Sequence, residues 1–234
     1  MKYSYLLLLA FLFSSNIFTN NDPWKNINEN TQIFNEAFDD IIATPLARSY
    51  MFITPDIIEH GITNFIFNVE DVSIGLNNIL QGNLTSGLSD LSRVIINTSL
   101  GLGGFLDVAS SLGLEKHDED FGQTLAVWGV PSGPYLVLPG LGPSTLRDTL
   151  GMIPDSFVSP TLALDDDKTS YTYTLIDVVD TRSRYIGFDN LIIGNKYLFF
   201  KDAYLQKREF EIKNGLVEDS FDSFDSFDSF DEPN

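Results

Sequence analysis

The sequence predicts a predominantly helical fold, and the main observation is that large apolar residues recur at helical spacing along three stretches. The first stretch has spacings of 7, 4 and 3: Ile27, Phe34, Phe38 and Ile41. The other two cover residues 58–79 and 84–98. A second observation is that Pro45 and Pro55 punctuate the chain between the first two stretches. The stripes alone favour the core of a soluble bundle, with a membrane-surface face as the alternative.

Acidic residues dominate the charge, with Lys+Arg 14, Asp+Glu 33 and a formal net charge of −19. Nucleic acid phosphates repel such a chain, so no DNA or RNA partner is expected. The 234 residues contain no cysteine, which excludes disulfides, thiolate nucleophiles and cysteine-ligated metal centres. The two histidines, His60 and His117, are too few for an imidazole-rich metal site. No metal or other cofactor is predicted.

The N-terminus predicts an export signal over residues 1–20. Lys2 supplies a positive charge, and residues 5–13 form a continuous apolar run. A helix that spans a bilayer needs roughly 20 such residues, whereas the core of a signal peptide is shorter. Residues 14–16 (Ser-Ser-Asn) lack a clean A-x-A pattern, so cleavage is left open. A buried N-terminal helix is the alternative.

A glycine-rich segment at residues 99–107 places Gly101, Gly103 and Gly104 among large apolar residues. It lacks the Lys and Ser/Thr of a P-loop and does not fit G-x-G-x-x-G, which argues against nucleotide binding. Because glycine lets backbones approach closely, the segment predicts close helix packing or a helix break.

A second unusual segment is apolar and rich in glycine and proline: GVPSGPYLVLPGLGP at residues 129–143. Ordinary surface loops are polar, and this composition excludes a regular helix. The segment either folds back over the core or dips into lipid, where surrounding protein must satisfy its backbone. Composition leaves both arrangements open.

Five stretches in order carry a resemblance to a known family: DPWKNINENTQIFNEAFDD, GITNFIFNVEDVSIGLNNILQGN, RVIINTSLGLGGFLDVAS, EDFGQTLAVWGVPSGPYLVLPGLGPSTLRDTLG and DAYLQKREFEIKNG. Residues 22–215 resemble the MlaA/VacJ family of outer-membrane phospholipid-transport proteins, most specifically at residues 97–107 and 121–148. The resemblance implies an all-α domain over residues 21–215. It would be a ring of amphipathic helices lying in one membrane leaflet around a central channel, with Gly/Pro-rich apolar loops.

The resemblance also implies phospholipid transport without catalysis. Family members remove mislocalised phospholipids from the outer leaflet of the outer membrane and pass them to a soluble periplasmic carrier, which maintains lipid asymmetry. The implied partners are phospholipids, the outer membrane, a trimeric porin and that carrier. The implied location is the periplasmic leaflet of the outer membrane in a Gram-negative bacterium. The alternative is a soluble periplasmic helical binding or scaffold protein of the same fold.

The two signature blocks supply the candidate residues of a lipid channel or membrane-embedded element. These are Gly101, Gly103, Gly104, Phe105, Asp107, Phe121, Gly122, Gly133, Pro134, Tyr135, Pro139, Arg147 and Asp148. No catalytic residue is assigned, because neither histidine lies near a G-x-S-x-G elbow. For Arg147 and Asp148 a structural role is favoured, as a helix-terminal ion pair or cap.

The family's lipobox cysteine has no counterpart here, since residues 13–16 read Phe-Ser-Ser-Asn and the sequence contains no cysteine. The protein is therefore not expected to be a conventional lipoprotein. Its attachment would rest on buried helices and loops, on an uncleaved N-terminus, or on a porin partner.

Two further helices are predicted in the C-terminal half. Residues 169–179 alternate and include β-branched side chains, which by themselves indicate a strand, but the resemblance implies a helix over residues 171–185. Another helix is predicted over residues 189–214. Its basic residues are Lys196, Lys201, Lys207, Arg208 and Lys213. A solvated face balanced by acids of the same helix is favoured over a face that meets phosphate headgroups or an acidic carrier.

The C-terminal segment, residues 216–234, is predicted to be a disordered acidic tail. Residues 220–231 consist of Ser-Phe-Asp repeats, and a period of three fits neither a helix nor a strand. Repeat expansion without function is favoured over a docking segment.

Acidic clusters at residues 115–120 and 165–167 raise the question of calcium. Neither has the alternating oxygen ligands and the glycine of an EF-hand loop. Solvated turns are therefore predicted, with His117 exposed.

Overall fold

The computed structural model describes residues 22–159, 166–188, 192 and 194–215. The predicted export signal and the Ser-Phe-Asp tail lie outside the described residues. Helices dominate the described part of the chain, which confirms the predicted helical fold, and a small antiparallel sheet is an addition to it. Within these ranges no helix is long and apolar enough to cross a membrane.

The first helical stretch continues through Pro45, where the sequence predicts an interruption. Helix α1 (Lys25–Phe38) passes through a π-helical turn (Asp39–Ala43) into α2 (Thr44–Ile53). Pro45 does not separate these elements, contrary to the prediction, because it lies in the first turn of α2, where its missing amide hydrogen costs little. Pro55 does separate α2 from the next helix, since its backbone is extended.

Helices α3 (Asp56–Leu80) and α4 (Leu84–Leu100) form a helical hairpin. The turn between them contains Gly82, whose φ of +92° favours glycine. The helices approach closely at Gly75 and Gly87, because a Cβ on Gly75 would lie 3.0 Å from the carbonyl oxygen of Gly87. The two missing side chains therefore set the distance between the helices.

A β-hairpin follows two short helices, α5 (Val108–Ser111) and α6 (Phe121–Val127). Strand β1 (Tyr135–Leu138) pairs antiparallel with β2 (Gly142–Thr145). Helix α7 (Leu146–Val158) begins at the residue after β2. The hairpin thus occupies most of the Gly/Pro-rich segment for which the sequence left two arrangements open.

The burial of β1 decides between those two arrangements. Tyr135 and Val137 are buried and form a small core cluster with Tyr197. The strand therefore folds back over the protein. Only the turn between the strands exposes a large apolar side chain, Leu141. The sequence did not indicate these strands, because four residues are too few for an alternating pattern to be recognised.

Helices α8 (Asp167–Tyr185) and α9 (Lys196–Ile212) complete the described fold. The α8 helix is confirmed against its local β propensity. Helix α9 does not begin at residue 189 as predicted. Gly194 has a φ of +84°, which is outside the helical region, and the side chain of Asn195 caps the helix by accepting a hydrogen bond from a backbone amide of its first turn.

The apolar stripe of the first helical stretch faces outward. Phe34 and Ile41 are 57% and 74% exposed, whereas Asn28 is 0% exposed. The soluble bundle core that the stripes favour on their own is therefore wrong for this stretch. Helical spacing defines a face, but it does not say whether that face is directed toward protein or away from it.

The same inversion continues along α3 and α4. The exposed apolar residues include Ile58, Phe65, Leu76, Leu84, Leu88 and Ile95. The buried polar residues are Asn68, Asp71, Asn77, Asn78, Asp90, Arg93 and Asn97. Across the described ranges, buried polar and charged side chains outnumber buried hydrophobic ones. Such an exterior is suited to apolar surroundings, since soluble monomers rarely expose large continuous apolar areas.

Candidate functional site

A cavity of about 670 Å³, partly open to the surface, lies between α1, the start of α2, the β-hairpin, the end of α8 and the start of α9. Its polar and charged lining consists of Gln32, Asn35, Glu36, Asp39, Asp40, Thr44, Arg48, Arg182 and Lys196. Its remaining lining consists of Tyr135, Val137, Gly142, Pro143, Tyr185, Phe188, Ile192, Phe199 and Phe200. The cavity is therefore amphipathic.

Two ion pairs hold the charged side of the cavity together. Arg182 of α8 approaches Asp39 with an Nε–Oδ1 distance of 2.6 Å, and Lys196 of α9 lies 3.2 Å from Glu36 of α1. Burial would raise the pKa of Asp39, but hydrogen bonds from Arg182 and Thr44 outweigh it and hold that pKa below its usual value. The ionised carboxylate thus joins the first helical stretch to α8.

Arg48 is a cation that the cavity does not neutralise. It lies on α2, is exposed and lines the cavity. Its guanidinium makes no hydrogen bond or ion pair with any residue that the structure describes. In a chain with a net charge of −19, an unpaired guanidinium is well placed to bind an anionic group, and its planar fork suits phosphate.

Two polar atoms in the cavity wall are buried without partners. Gln32 and Tyr135 are 8% and 5% exposed, and both line the cavity. Gln32 Oε1 and the Tyr135 hydroxyl have no hydrogen-bond partner among the described residues. A buried polar group without a partner costs about 1–3 kcal/mol. Both atoms have almost no accessible surface, so they belong to the packed wall rather than to the surface that a molecule in the cavity would contact.

Asn28 and Asn35 of α1 position the hairpin wall of the cavity. Asn28 donates to the carbonyl oxygen of Tyr135 at 3.0 Å and accepts from the amide of Val137 at 2.9 Å. Asn35 makes the same kind of bidentate contact with the hairpin turn, because it donates to the carbonyl oxygen of Leu138 and accepts from the amide of Gly140. Neither asparagine is among the residues predicted to be functional, although their spacing of seven places both on the polar face of α1.

Aromatic side chains form the apolar side of the cavity. Tyr185 and Phe188 contact each other edge to face with ring centroids 6.3 Å apart, and Phe199 and Phe200 do so at 5.8 Å. The same two helices carry the ion-paired residues, since Arg182 lies three positions before Tyr185 and Lys196 three positions before Phe199. The arrangement can bind a molecule that joins a charged group to apolar chains.

The profile of the MlaA lipoprotein family matches residues 20–211. The chain belongs to the MlaA family. The intermembrane phospholipid transport system lipoprotein MlaA of Escherichia coli is 33% identical over 200 residues, which cover 83% of this chain and 79% of that protein. Its counterpart in Haemophilus influenzae is 27% identical over 86% of this chain and 82% of that protein.

Two further comparisons extend the family match. An uncharacterised protein of Rickettsia typhi is 33% identical over 196 residues, which cover 82% of this chain and 78% of that protein. A solved structure described as "Structural basis for maintenance of bacterial outer membrane lipid asymmetry" superposes with a TM-score of 0.73 and 31% identity. The superposition covers 82% of this chain and 100% of the solved one.

The MlaA signature residues of the first block lie at the C-terminal end of α4. Gly101 and Gly104 are close contacts, since a Cβ would lie 2.1 Å from the Leu106 carbonyl oxygen and 2.6 Å from Asn68 Nδ2, respectively. Gly103 is in open space with a φ of +75°. Gly101 thus ends α4, and Gly104 packs the end of α4 on α3. This agrees with the predicted helix break and close helix packing.

Phe105 and Asp107 of the same block serve packing and capping. The ring of Phe105 fills the space beside Gly61, where a Cβ would lie 2.0 Å from the ring. Asp107 caps α5 and lies 3.2 Å from Arg93 Nη2. Burial opposes ionisation, but hydrogen bonds from Ser110 and the neighbouring groups lower the pKa of Asp107 to about 2.

Of the candidate residues in the second MlaA block, all of which the structure describes, Tyr135 is the one that lines the cavity. Gly133 has a φ of +69°, and the carbonyl oxygen of Pro134 accepts from the amide of Leu146 at 3.0 Å, so both shape the hairpin. Pro139 is exposed in the turn. These three residues therefore lie outside the cavity lining.

Arg147 and Asp148 form a buried ion pair at the start of α7, with Nη2–Oδ1 2.9 Å apart. This geometry agrees with a helix-terminal pair. Burial would raise the pKa of Asp148, but hydrogen bonds from Arg208, Thr145 and others lower it. Gly122 lies against this pair, since a Cβ there would be 2.6 Å from Asp148 Oδ1.

Phe121 lies beside that cluster, outside the cavity. Its backbone amide donates to Asp155 at 2.9 Å, and its ring contacts Trp128 edge to face.

The basic residues of α9 are engaged by carboxylates rather than free for phosphate. Lys201 lies 2.7 Å from Asp22, and Arg208 lies 2.7 Å from Asp120. Lys207 pairs with Glu211. Acids therefore balance these basic residues, as the favoured prediction states. Asp22 and Asp120 belong to other parts of the chain, however, and not to α9. The alternative phosphate-binding face finds no support in this geometry.

His117 is half-buried rather than exposed as predicted. Its Nδ1 lies 2.7 Å from an oxygen of the buried Asp90, which also accepts from Asn78. This contact ties the acidic segment to α4, so the segment is not a freely solvated turn. Among the described residues, no group of His, Asp and Glu side chains has the geometry of a metal site.

Proposed function

We propose that the protein is a non-enzymatic conduit for phospholipids. It removes mislocalised phospholipids from the outer leaflet of the outer membrane and passes them to a soluble periplasmic carrier, which maintains lipid asymmetry. The names of the MlaA relatives support transport of phospholipids between membranes. The amphipathic cavity supports a ligand that combines a charged headgroup with apolar chains.

The observation that carries the proposal is the outward apolar surface around a polar interior. At ~25 cal/mol per Å², about 400 Å² of apolar surface in lipid would contribute roughly 10 kcal/mol before costs. Insertion into one leaflet would therefore hold the protein in the outer membrane without a lipobox cysteine. The 234 residues contain no cysteine, so we propose this surface, together with a trimeric porin partner, as the anchor.

The cavity would hold the lipid by its two ends. Arg48 would bind the phosphate of the headgroup. The aromatic rings around Phe199 would contact the acyl chains. A polar wall lowers the barrier for a headgroup that must leave the surface of the bilayer, and no bond of the lipid needs to break. Transport then requires no catalytic residue.

Deleting the gene should raise the phospholipid content of the outer leaflet, measured with a surface-acting phospholipase or acyltransferase. Restoring the wild-type gene should reverse the rise. The Arg48→Glu variant should restore transport about tenfold less well, since one charge-assisted contact to phosphate is lost and a repulsion is added. Arg48→Lys should restore most of it.

The matched control for this experiment is Lys168→Glu, which makes the same charge reversal at an exposed residue outside the cavity. It should restore transport fully. Surface phospholipid that does not change on deletion would contradict the proposed function. Full restoration of transport by Arg48→Glu would show that the cavity does not bind the transported phospholipid.

The outward face should hold the protein in the outer-membrane fraction. Placing aspartates at Ile41 and Phe52, which are strongly exposed, should raise the soluble fraction at least about tenfold, because each apolar side chain contributes ~1.5–3 kcal/mol on burial. Asn30→Asp, which adds a charge to an exposed polar position, should leave fractionation unchanged. Wild-type protein in the salt-washed periplasm would favour the alternative, a soluble helical scaffold.

A further inference from the structure

Most of the charged side chains that line the cavity neutralise one another. Glu36 of α1 pairs with Lys196 at 3.2 Å, and Asp39 of the π-helical turn pairs with Arg182 at 2.6 Å. These four residues tie the first helical stretch to α8 and α9, so their charges are already used within the protein. Among the described residues of the lining, one acidic and one basic side chain remain.

The acidic side chain that remains is Asp40. It lies in the π-helical turn, is exposed and lines the cavity. Its carboxylate makes no hydrogen bond or ion pair with any residue in the described ranges. The basic side chain is Arg48 of α2, whose guanidinium is unpaired in the same ranges and lines the same cavity. The cavity therefore carries one negative and one positive charge that the described protein leaves unneutralised.

The positions of Asp40 and Arg48 explain why they do not pair with each other. They are eight positions apart on a continuous helical stretch. Helical side chains contact each other directly across three or four positions, whereas eight positions correspond to about 12 Å along the axis. The arginine side chain covers part of this distance. A molecule that carries both a negative and a positive group can cover the rest and neutralise both charges at once.

The surroundings of the two residues increase the need for such a molecule. Ile41 and Ile42, directly after Asp40, are exposed, and so is Leu46, two positions before Arg48. Both charges therefore adjoin the outward apolar surface that we propose to lie in lipid. A charged side chain that borders hydrocarbon is costly unless it has a partner of opposite charge. A lipid that enters the cavity from the leaflet can supply both partners.

We propose that Asp40 and Arg48 make the cavity a site for phospholipids with a zwitterionic headgroup, with the phosphate on Arg48 and the ammonium on Asp40. The proposal rests on the proposed transport function and adds a headgroup preference to it. The aromatic rings of the lining also favour an ammonium, since ring faces attract cations. A phosphate with an uncharged glycerol headgroup would neutralise Arg48 and leave Asp40 without a partner. The cavity thus selects ammonium-bearing phospholipids over anionic ones.

The test measures the affinity of the full-length protein, in neutral detergent micelles at neutral pH, for fluorescent phosphatidylethanolamine and phosphatidylglycerol. The wild type should prefer the first lipid. Asp40→Asn should reduce that preference about fivefold, because the ammonium loses an ion pair in a partly open site. Asp40→Lys should reverse the preference, because the added cation attracts the anionic lipid and repels the ammonium. Arg48→Gln should weaken both lipids to a similar extent, because both carry the phosphate.

The matched control is Asp202→Asn, which neutralises an exposed aspartate of α9 outside the cavity lining. The control is needed because a chain with a net charge of −19 repels an anionic lipid wherever that lipid binds. Either substitution lowers this general repulsion by the same single charge. Asp202→Asn should therefore change the preference far less than Asp40→Asn does. Equal changes in the two variants would show that net charge, and not the cavity, sets the preference.

Circular dichroism checks that each variant is folded, which is expected for substitutions at exposed positions. A folded Asp40→Asn protein with the wild-type preference overturns the role of Asp40 and leaves phospholipid transport intact. A wild type that binds both lipids equally has the same consequence. A wild type that binds neither lipid overturns the proposed transport function as well.

Discussion

Replacing Arg93 by methionine is expected to lower the free energy of unfolding by about 3–5 kcal/mol. Arg93 is 2% exposed and lies 3.1 Å from the fully buried Asp71 and 3.2 Å from Asp107. It also donates to Ser110 Oγ at 2.9 Å and to the carbonyl oxygen of Leu114 at 2.7 Å. One guanidinium therefore joins α3, α4, α5 and the segment that follows.

The large cost arises from what the substitution leaves behind. Burial already raises the pKa of Asp71, and Arg93 is the main group that opposes this shift. Without the guanidinium, Asp71 must either stay charged and unpaired in the interior or take up a proton. Both outcomes favour unfolding, because in the unfolded chain water solvates the carboxylate.

Thermal and urea unfolding in detergent, followed by circular dichroism, measures this effect. Arg48→Met removes an exposed arginine of the same length and should cost less than ~0.5 kcal/mol. The double variant Asp71→Leu/Arg93→Met should recover much of the lost stability, because neither charge is then buried alone. An Arg93→Met protein as stable as the wild type would show that water reaches Asp71.

The helices could be predicted from the sequence, but their orientation could not. A period of 3.6 identifies an amphipathic helix around Phe34 and Ile41, and the structure has one there. Whether an apolar face packs inward depends on the surroundings of the protein, which the pattern does not encode. The buried asparagines and aspartates were the available signal, since a face with Asn68 and Asp71 can be interior only when partners such as Arg93 are present.

The cavity was harder to predict because its residues come from distant parts of the chain. Asn28 reaches Tyr135 across more than a hundred positions, and no local pattern announces such a contact. The candidate residues include Tyr135 but not Arg48 or Gln32. Most of them come from glycine-rich blocks, and glycines such as Gly122 and Gly104 mark close backbone packing rather than ligand contact.

Replacing Asn28 by leucine is expected to destabilise the protein by about 2–4 kcal/mol and to disturb the cavity at the same time. The leucine has nearly the same size but leaves the carbonyl oxygen of Tyr135 and the amide of Val137 buried without partners. Strand β2 cannot replace these bonds, because the carbonyl of Tyr135 and the amide of Val137 are directed toward Asn28 and away from the partner strand. Unfolding in detergent measures the stability, and surface phospholipid in complemented cells measures transport.

Asn35→Leu is the matched control, because Asn35 makes the same bidentate contact to Leu138 and Gly140 in a more exposed part of the hairpin. Water can replace its hydrogen bonds there, so the loss should stay below ~1 kcal/mol. Equal losses for both variants would contradict the argument from burial. A large loss of transport in Asn28→Leu protein that still reaches the membrane would connect the position of the hairpin to the path of the lipid, since Tyr135 and Val137 form part of the cavity wall.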